Sequence, residues 1–487
     1  MLFNSIDFLV FFPIVTVVLF LIPGKFRTIY LLFISYYFYA CWNPRYTLLI
    51  AFSTVITYMS GLLLEKGDTK GKKKIIMIFS LVSNLLILAI FKYANFAIET
   101  LNAVFSYWGV TIIDKRVDLL LPVGISFYTF QALSYTFDVY NGKIKVEKNL
   151  IRYALFVSFF PQLVAGPIER SGNLLHQVQS IKDKNLWNFD CIRDGILLMF
   201  WGLFQKLVIA DRASILVNQV YSSYYDYGFI ELFAASLLFA VQIYCDFGGY
   251  TNIARGAARI MGFSLMQNFK QPYFSTSIKE FWRRWHISLT SWFTDYLYIP
   301  LGGNRKGTLR KYLNIWIVFG VSGLWHGASW HFVVWGMLHA AYQIIGDLKD
   351  KALKSGLKNR WRLDSFSGKF GKVCITFVLV DIAWVFFASD SVSHAIGIFQ
   401  QMFAVFQTKG LMEIGLDYVN WMVLILGITI LFIIDLMHEK GKGIFGIMEK
   451  QMLWYRWGLY LGLIWGTIML GVYGIAYDTS QFIYFQF

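Results

Sequence analysis

The sequence predicts an all-α protein, a multi-pass bundle of transmembrane helices with about ten crossings plus re-entrant helices. Three observations lead there. Of the 487 residues, 57% are hydrophobic and only 15% charged, against about 25% charged in soluble globular domains. Apolar runs approaching the roughly 20 residues needed to cross a bilayer recur along the chain. Lys and Arg gather in short stretches between those runs, the pattern that marks cytoplasmic loops. In hydrocarbon each backbone N–H and C=O must be satisfied within the protein, which makes helices the expected element.

The expected spans are 6–22, 27–42, 46–64, 75–93, 119–138, 192–210, 229–245, 373–388, 420–436 and 457–475. The first lies in MLFNSIDFLVFFPIVTVVLFLI, which has neither a positive n-region nor a small-residue cleavage site. It reads as a retained span rather than a cleaved signal. The segment 150–164 is apolar but short and is expected to re-enter rather than cross. Basic stretches 65–74, 141–149, 347–372 and 438–456 are expected on the cytoplasmic side, and 94–118 and 389–419, poorer in basic residues, outside. Both the N-terminus and the tail QFIYFQF then fall outside, which requires an even number of crossings.

Two stretches break this pattern. Residues 246–311 are polar, aromatic and basic. Arg283 and Arg284 beside Trp282 and Trp285 suggest a half-buried helix at the cytoplasmic interface. Residues 312–346 lie between basic stretches and are too few for two full spans, so a short hairpin is expected. Gly320, Gly323 and Gly327 would permit the bend, with His326 near the turn and at membrane depth. No fixed-period repeat or linker is visible, and 1–487 reads as a single domain, with 246–346 as its core segment.

The net charge of +15 does not point to nucleic acid, because the basic residues sit in inter-span loops. Cys41, Cys191, Cys245 and Cys374 lack metal-type spacing and read as buried apolar thiols without a disulfide framework.

Ionisable groups at membrane depth are functional candidates. His326, in Ser322-Gly323-Leu324-Trp325-His326-Gly327, leads. An imidazole can take a proton near neutral pH, and the alternative is a structural histidine bonded to a carbonyl. His286, in Trp282-Arg283-Arg284-Trp285-His286, is second, with an interfacial helix as its alternative. His331 and His339 share the segment of His326. His394 and His438, near expected loop ends, read as bystanders, and His176, in a polar connector, gives no signal. No metal site is expected, because no HExxH pattern occurs and no Cys or carboxylate falls within 322–339. GxGxxG after a strand, a phosphate loop and GxSxG are absent too. Asp138 and Asp246 read as helix-end or cavity residues. Asp381 and Asp435 are expected to pair with a neighbour.

FWRRWHISLTSWF followed by GLWHGASWHFVVWG resembles the signature of the membrane-bound O-acyltransferase family. LPVGISFYTFQALSYTFDVY, FPQLVAGPIER, DFGGYTNIARG, DYLYIPLGGNRKG and the tail FIYFQF resemble its bacterial polysaccharide branch, the one that contains the membrane subunit of alginate O-acetylation. The similarity runs over essentially the whole chain. It implies tilted helices around a funnel joining the two membrane faces. It implies that His326 is the intramembrane catalytic histidine, making 246–346 the catalytic core, and that His286 is the second polar residue.

It implies further an acetyl group moved from a cytoplasmic thioester, acetyl-CoA, to a hydroxyl on an extracytoplasmic acetyltransferase partner or a cell-surface polysaccharide, in a bacterial cell membrane, with no bound cofactor. Arg283, Arg284, Arg305, Lys306 and Trp325 are the candidate donor-binding residues, although simple positive-inside topology also accounts for the four charges. Direct transfer and an acetyl-histidine intermediate both remain open. D-alanyl transfer from a carrier protein, a transporter or exporter, and a non-catalytic scaffold are the alternatives.

Overall fold

A computed structural model describes residues 1–109, 113, 117, 119–163, 166–354 and 365–473. The tail QFIYFQF, the end of span 457–475, residues 355–364 of the basic stretch 347–372 and most of 110–118 lie outside the described residues.

Helices make up the regular structure of the described residues. In chain order they are α1 Ile6–Leu21, α2 Gly24–Ala40, α3 Thr47–Lys66, α4 Lys70–Leu88, α5 Ala94–Ser106, α6 Ile125–Tyr140, α7 Leu150–Ser158, α8 Phe160–Leu163, α9 Ser171–Ser180, α10 Phe189–Leu203 and α11 Asp211–Ser222. They continue as α12 Phe229–Ile260, α13 Ile278–Arg284, α14 Ile287–Phe293, α15 Thr308–His326, α16 Trp330–Lys354, α17 Phe366–Ala388, α18 Val392–Ala404, α19 Tyr418–Glu439, α20 Ile444–Met448 and α21 Leu453–Leu470. Among the described residues five helical stretches are long and apolar enough to cross a membrane: Pro44–Lys66, Lys70–Ser106, Phe229–Ile260, Phe366–Ala388 and Tyr418–Glu439.

These residues form two compact units, one of Met1–Ile196 with Ala254–Met266, the other of Leu197–Ile253 with Gln267–Phe487. In the first unit α6 packs against α3 and α4, and α7 against α2, α3 and α9. Its interior is laced with polar pairs. Ser53 lies 2.5 Å from Asn84, Ser80 3.2 Å from Thr136, and the Tyr153 hydroxyl donates to Thr57 at 2.6 Å. These buried hydroxyls find partners on neighbouring helices, the condition for burying them away from water. Outward-facing Ile6, Leu9, Val10, Ile14 and Val17 on α1 are apolar and exposed, as lipid-facing positions require.

Several expected boundaries move. The helix expected over 119–138 begins at Ile125, after Gly124 at φ +73°, a left-handed backbone that glycine adopts freely. The expected span 192–210 belongs to a longer run, because α10 passes through a π-type turn over Phe204–Ala210 directly into α11. The span 229–245 does not end at Asp246, since α12 continues through DFGGYTNIARG to Ile260. Asp246 is thus a mid-helix residue rather than a helix end. Asp138 lies in the last turn of α6, as a helix-end residue, and accepts from Ser171 at 3.0 Å.

The stretches expected as loops, 94–118 and 389–419, carry α5 and α18. Within the expected segment 150–164, residues 150–163 form two short helices, buried from Tyr153 onward and broken at Phe159. Of the four cysteines only Cys245 is buried; Cys41, just after α2, and Cys374, on α17, are exposed. Apolar character alone does not distinguish a lipid-facing thiol from a buried one.

Candidate active site

α15 and α16 form a hairpin, with His326 the last residue of α15 and Gly327–Ser329 the turn. Its arms, 19 and 25 residues, are longer than a short re-entrant hairpin needs. The glycines act differently from the expected bend. A Cβ on Gly323 would run into the Phe332 carbonyl, and one on Gly336 into the Phe319 carbonyl. Their role is to let two helix backbones touch, the use of small residues typical of membrane helix pairs. Only Gly327 sits at the turn.

His286 is the joint between α13 and α14. α13 starts on a reciprocal cap in which Ser277 accepts from Glu280 N at 3.2 Å and Glu280 accepts from Thr276 N at 2.8 Å. It ends at Arg284, Trp285 is extended, and His286 follows at φ +44°, ψ +52°. A non-glycine residue there is uncommon and costs about 1–3 kcal/mol. Asn268 holds the strained joint. Its carbonyl accepts from Ile287 N at 2.9 Å and its Oδ1 from Ser288 N at 3.3 Å, while its Nδ2 donates to Thr251 on α12 at 3.4 Å.

The two histidines come together. His286 is fully buried and His326 is 3% exposed. Their ring centroids are 6.3 Å apart. Trp325 lies edge-on to both, 5.0 Å from His326 and 5.8 Å from His286. Trp335 is 4.9 Å and Phe387 5.4 Å from His326, and Phe247 is 4.7 Å from His286. Aromatic edges and faces thus wall a pair of imidazoles, each able to accept at one nitrogen and donate at the other.

The remaining candidates are placed apart in role. His331 Nδ1 lies 3.1 Å from the Phe386 carbonyl, fastening the start of α16 to α17. His339 Nδ1 accepts from Trp282 Nε1 at 3.3 Å. Trp282 and Trp285 are both buried while Arg283 is exposed, so α13 has the one buried face expected of a half-buried helix. Arg284 is engaged by two carboxylates, Glu280 at 2.6 Å and Glu439 at 2.5 Å. Arg305 and Lys306 are exposed on the turn before α15, which Asn314 ties down by donating to the Gly303 carbonyl at 2.9 Å.

One cluster was not singled out from sequence. Lys206, in the π-type turn, lies 2.7 Å from Asp211 and 2.6 Å from Asp246, all three buried. The signal was a lysine inside an apolar run, a costly placement that calls for a partner. Asp246 immediately precedes Phe247, so the cluster anchors the turn of α12 that touches His286. Asn268 and Phe387 carried no sequence signal. The expected pairings of Asp381 and Asp435 are met by Ser236 and Tyr244, each at 2.9 Å.

Comparison with known proteins bears directly on this arrangement. The model of the membrane-bound O-acyltransferase family matches residues 46–389, which include both histidines. The chain is 37% identical over 417 residues to the probable alginate O-acetylase AlgI of Pseudomonas aeruginosa, covering 85% of this chain and 77% of that protein. It is 33% identical over 403 residues to the peptidoglycan O-acetyltransferase of Helicobacter pylori, covering 77% and 74%. It is 26% identical over 294 residues to the teichoic acid D-alanyltransferase of Bacillus subtilis, covering 57% and 71%. With a family match over more than half of its length, and a buried histidine pair within the matched region, this chain belongs to the membrane-bound O-acyltransferase family and is a membrane O-acyltransferase.

Proposed function

We propose that the protein transfers an acetyl group from acetyl-CoA, presented at the cytoplasmic face of a bacterial cell membrane, to a hydroxyl group on a cell-surface polysaccharide or on an extracytoplasmic partner that modifies one. The observation that carries this reading is the buried His286–His326 pair, in a chain whose relatives are named for O-acetylation of alginate and peptidoglycan.

His326 is the general base. It takes the proton of the acceptor hydroxyl as the oxygen adds to the thioester carbonyl carbon, and returns it to the departing thiolate sulfur. Positioned bases of this kind contribute about 10²–10⁴-fold. His286 orients the reacting groups across the 6.3 Å between the rings. Its strained, doubly tethered backbone keeps that orientation fixed, which is worth most where geometry limits rate. Arg283, Arg305 and Lys306 are exposed and able to attract the phosphates of the donor, whereas Arg284, already neutralised by Glu280 and Glu439, contributes structure.

The test is thiol release from acetyl-CoA by the detergent-purified protein with polysaccharide acceptor, comparing wild type with His326→Ala and His286→Ala. Release that disappears in His326→Ala while the variant elutes as wild type and still binds donor supports the reading. A wild type that neither binds nor cleaves acetyl-CoA overturns the donor. Turnover of a D-alanyl carrier-protein thioester instead would align the protein with its more distant D-alanyltransferase relatives.

A further inference from the structure

Trp335, which adjoins His326, and its own neighbour His339 carry two buried N–H groups with no protein acceptor among the described residues. Trp335 and His339 are both fully buried, and their four-residue spacing on α16 puts them on one face of that helix. The Trp282 indole can only donate, so its 3.3 Å bond to His339 Nδ1 makes that nitrogen the acceptor. In the neutral ring the proton must then sit on Nε2. Neither His339 Nε2 nor Trp335 Nε1 reaches an acceptor among the described residues.

An unmet buried donor costs about 1–3 kcal/mol, and native proteins leave few of them. Here two occur on adjoining rings, 5.1 Å between centroids, and the Trp335 ring also lies 4.9 Å from His326. His331, the other histidine of the hairpin, differs in having its carbonyl partner. Both N–H groups are thus left to meet an acceptor that the described residues do not supply.

We propose that Trp335 Nε1–H and His339 Nε2–H bind the carbonyl oxygen of the acyl group, and the oxyanion that this oxygen becomes. The assignment rests on the reading that an acyl thioester reacts beside His326. As the acceptor oxygen bonds to the carbonyl carbon, the carbonyl π pair moves onto the oxygen and meets the two N–H groups. When the carbonyl reforms, the carbon–sulfur bond breaks and the thiolate takes the proton held by His326. Fixed donors strengthen as that charge develops, so they lower the barrier more than they tighten binding. Trp282 is a positioning residue, holding His339 in the tautomer that donates.

The measurement is isotope-edited infrared spectroscopy of acetyl-CoA carrying ¹³C at the carbonyl, bound to the full-length His326→Ala protein, which is expected to hold donor without consuming it. The bound carbonyl band is expected below its position in water, and expected to rise when Trp335→Phe, which keeps a large ring but removes the N–H, is added. In the otherwise native enzyme Trp335→Phe should lower kcat by about 10²-fold, the usual loss for one such donor, with KM nearly unchanged. His339→Gln, whose amide can donate, should retain activity that His339→Leu loses. A carbonyl band indifferent to Trp335→Phe, or a kcat within twofold of wild type, overturns the assignment and leaves the acyl-transfer reading standing. A protein that shows no bound carbonyl band overturns both.

Discussion

Replacing Gly323 by alanine places a methyl group against the backbone of the facing helix. The added Cβ would overlap the Phe332 carbonyl oxygen and stand 3.0 Å from its carbon and 3.1 Å from Val333 Cα. Carbon atoms pack at about 3.5–4.0 Å, and none of these three is a side chain that can swing aside. α15 and α16 must therefore part by roughly half an ångström or more. Overpacking of this kind costs about 1–3 kcal/mol. Because His326 lies one turn further along α15, its displacement adds a catalytic loss, and a misplacement near 1 Å can cost about 10²-fold.

The comparison is Gly320→Ala, one turn earlier, whose Cβ would meet only the flexible end of Met337, at 3.1 Å. Thermal unfolding in detergent and thiol release from acetyl-CoA are measured on both. Gly323→Ala is expected to melt lower and turn over about 10- to 100-fold more slowly, with Gly320→Ala close to wild type. Equal stability and activity for the two variants would refute the claim that this backbone contact positions the histidine.

Three further outcomes are expected. Lys206→Met leaves Asp211 and Asp246 as uncompensated buried carboxylates, a loss of about 3–5 kcal/mol read as a lower melting temperature. Adding Asp246→Asn and Asp211→Asn should restore much of it. Asn268→Ala removes the side-chain ties to Ser288 and Thr251 and should depress kcat while donor binding, followed by calorimetry, is retained. Asp347 bridges Lys311 at 2.7 Å and Lys351 at 3.2 Å, and the hydrogen bond from Lys311 holds its carboxyl well below the usual carboxylate range. Since the folded-state value is the depressed one, its contribution is present above the unfolded value near about 4 and is lost as pH falls through it toward the folded value. Melting curves of wild type and Asp347→Asn should therefore converge in acid and, because the cluster is partly solvated, in high salt.

The membrane character and the His326 hairpin were legible because they rest on quantities that a sequence states directly, apolar length and the placement of charge. Gly-Leu-Trp-His-Gly between two basic stretches marked a hairpin with His326 near its turn, and the structure puts His326 at the end of α15 beside that turn. What was illegible depends on partners distant in the chain. DFGGYTNIARG looks too polar for a helix interior, yet it continues α12 because Asp246 meets Lys206 and Asn252 donates to Gln205 at 2.8 Å. Lys206 vanished into an apolar run for the same reason, since its two carboxylates lie 5 and 40 residues away. The hairpin glycines were misread as hinges, because one strand of sequence does not reveal which surface presses on them.

The left-handed backbone at residue 286 also bears on how this position can vary. Side chains that tolerate such a conformation are chiefly glycine, asparagine, aspartate and histidine. β-Branched and bulky residues are excluded before any question of catalysis arises. Three of the four tolerated types carry a polar side chain beside the Cα. Whatever lineage this chain descends from, chain geometry alone has narrowed the substitutions on offer at this joint to a short menu that favours hydrogen-bonding groups. A screen of all amino acids here should recover folded protein mainly from that menu, with asparagine the substitute best able to keep both the bend and a polar contact facing His326.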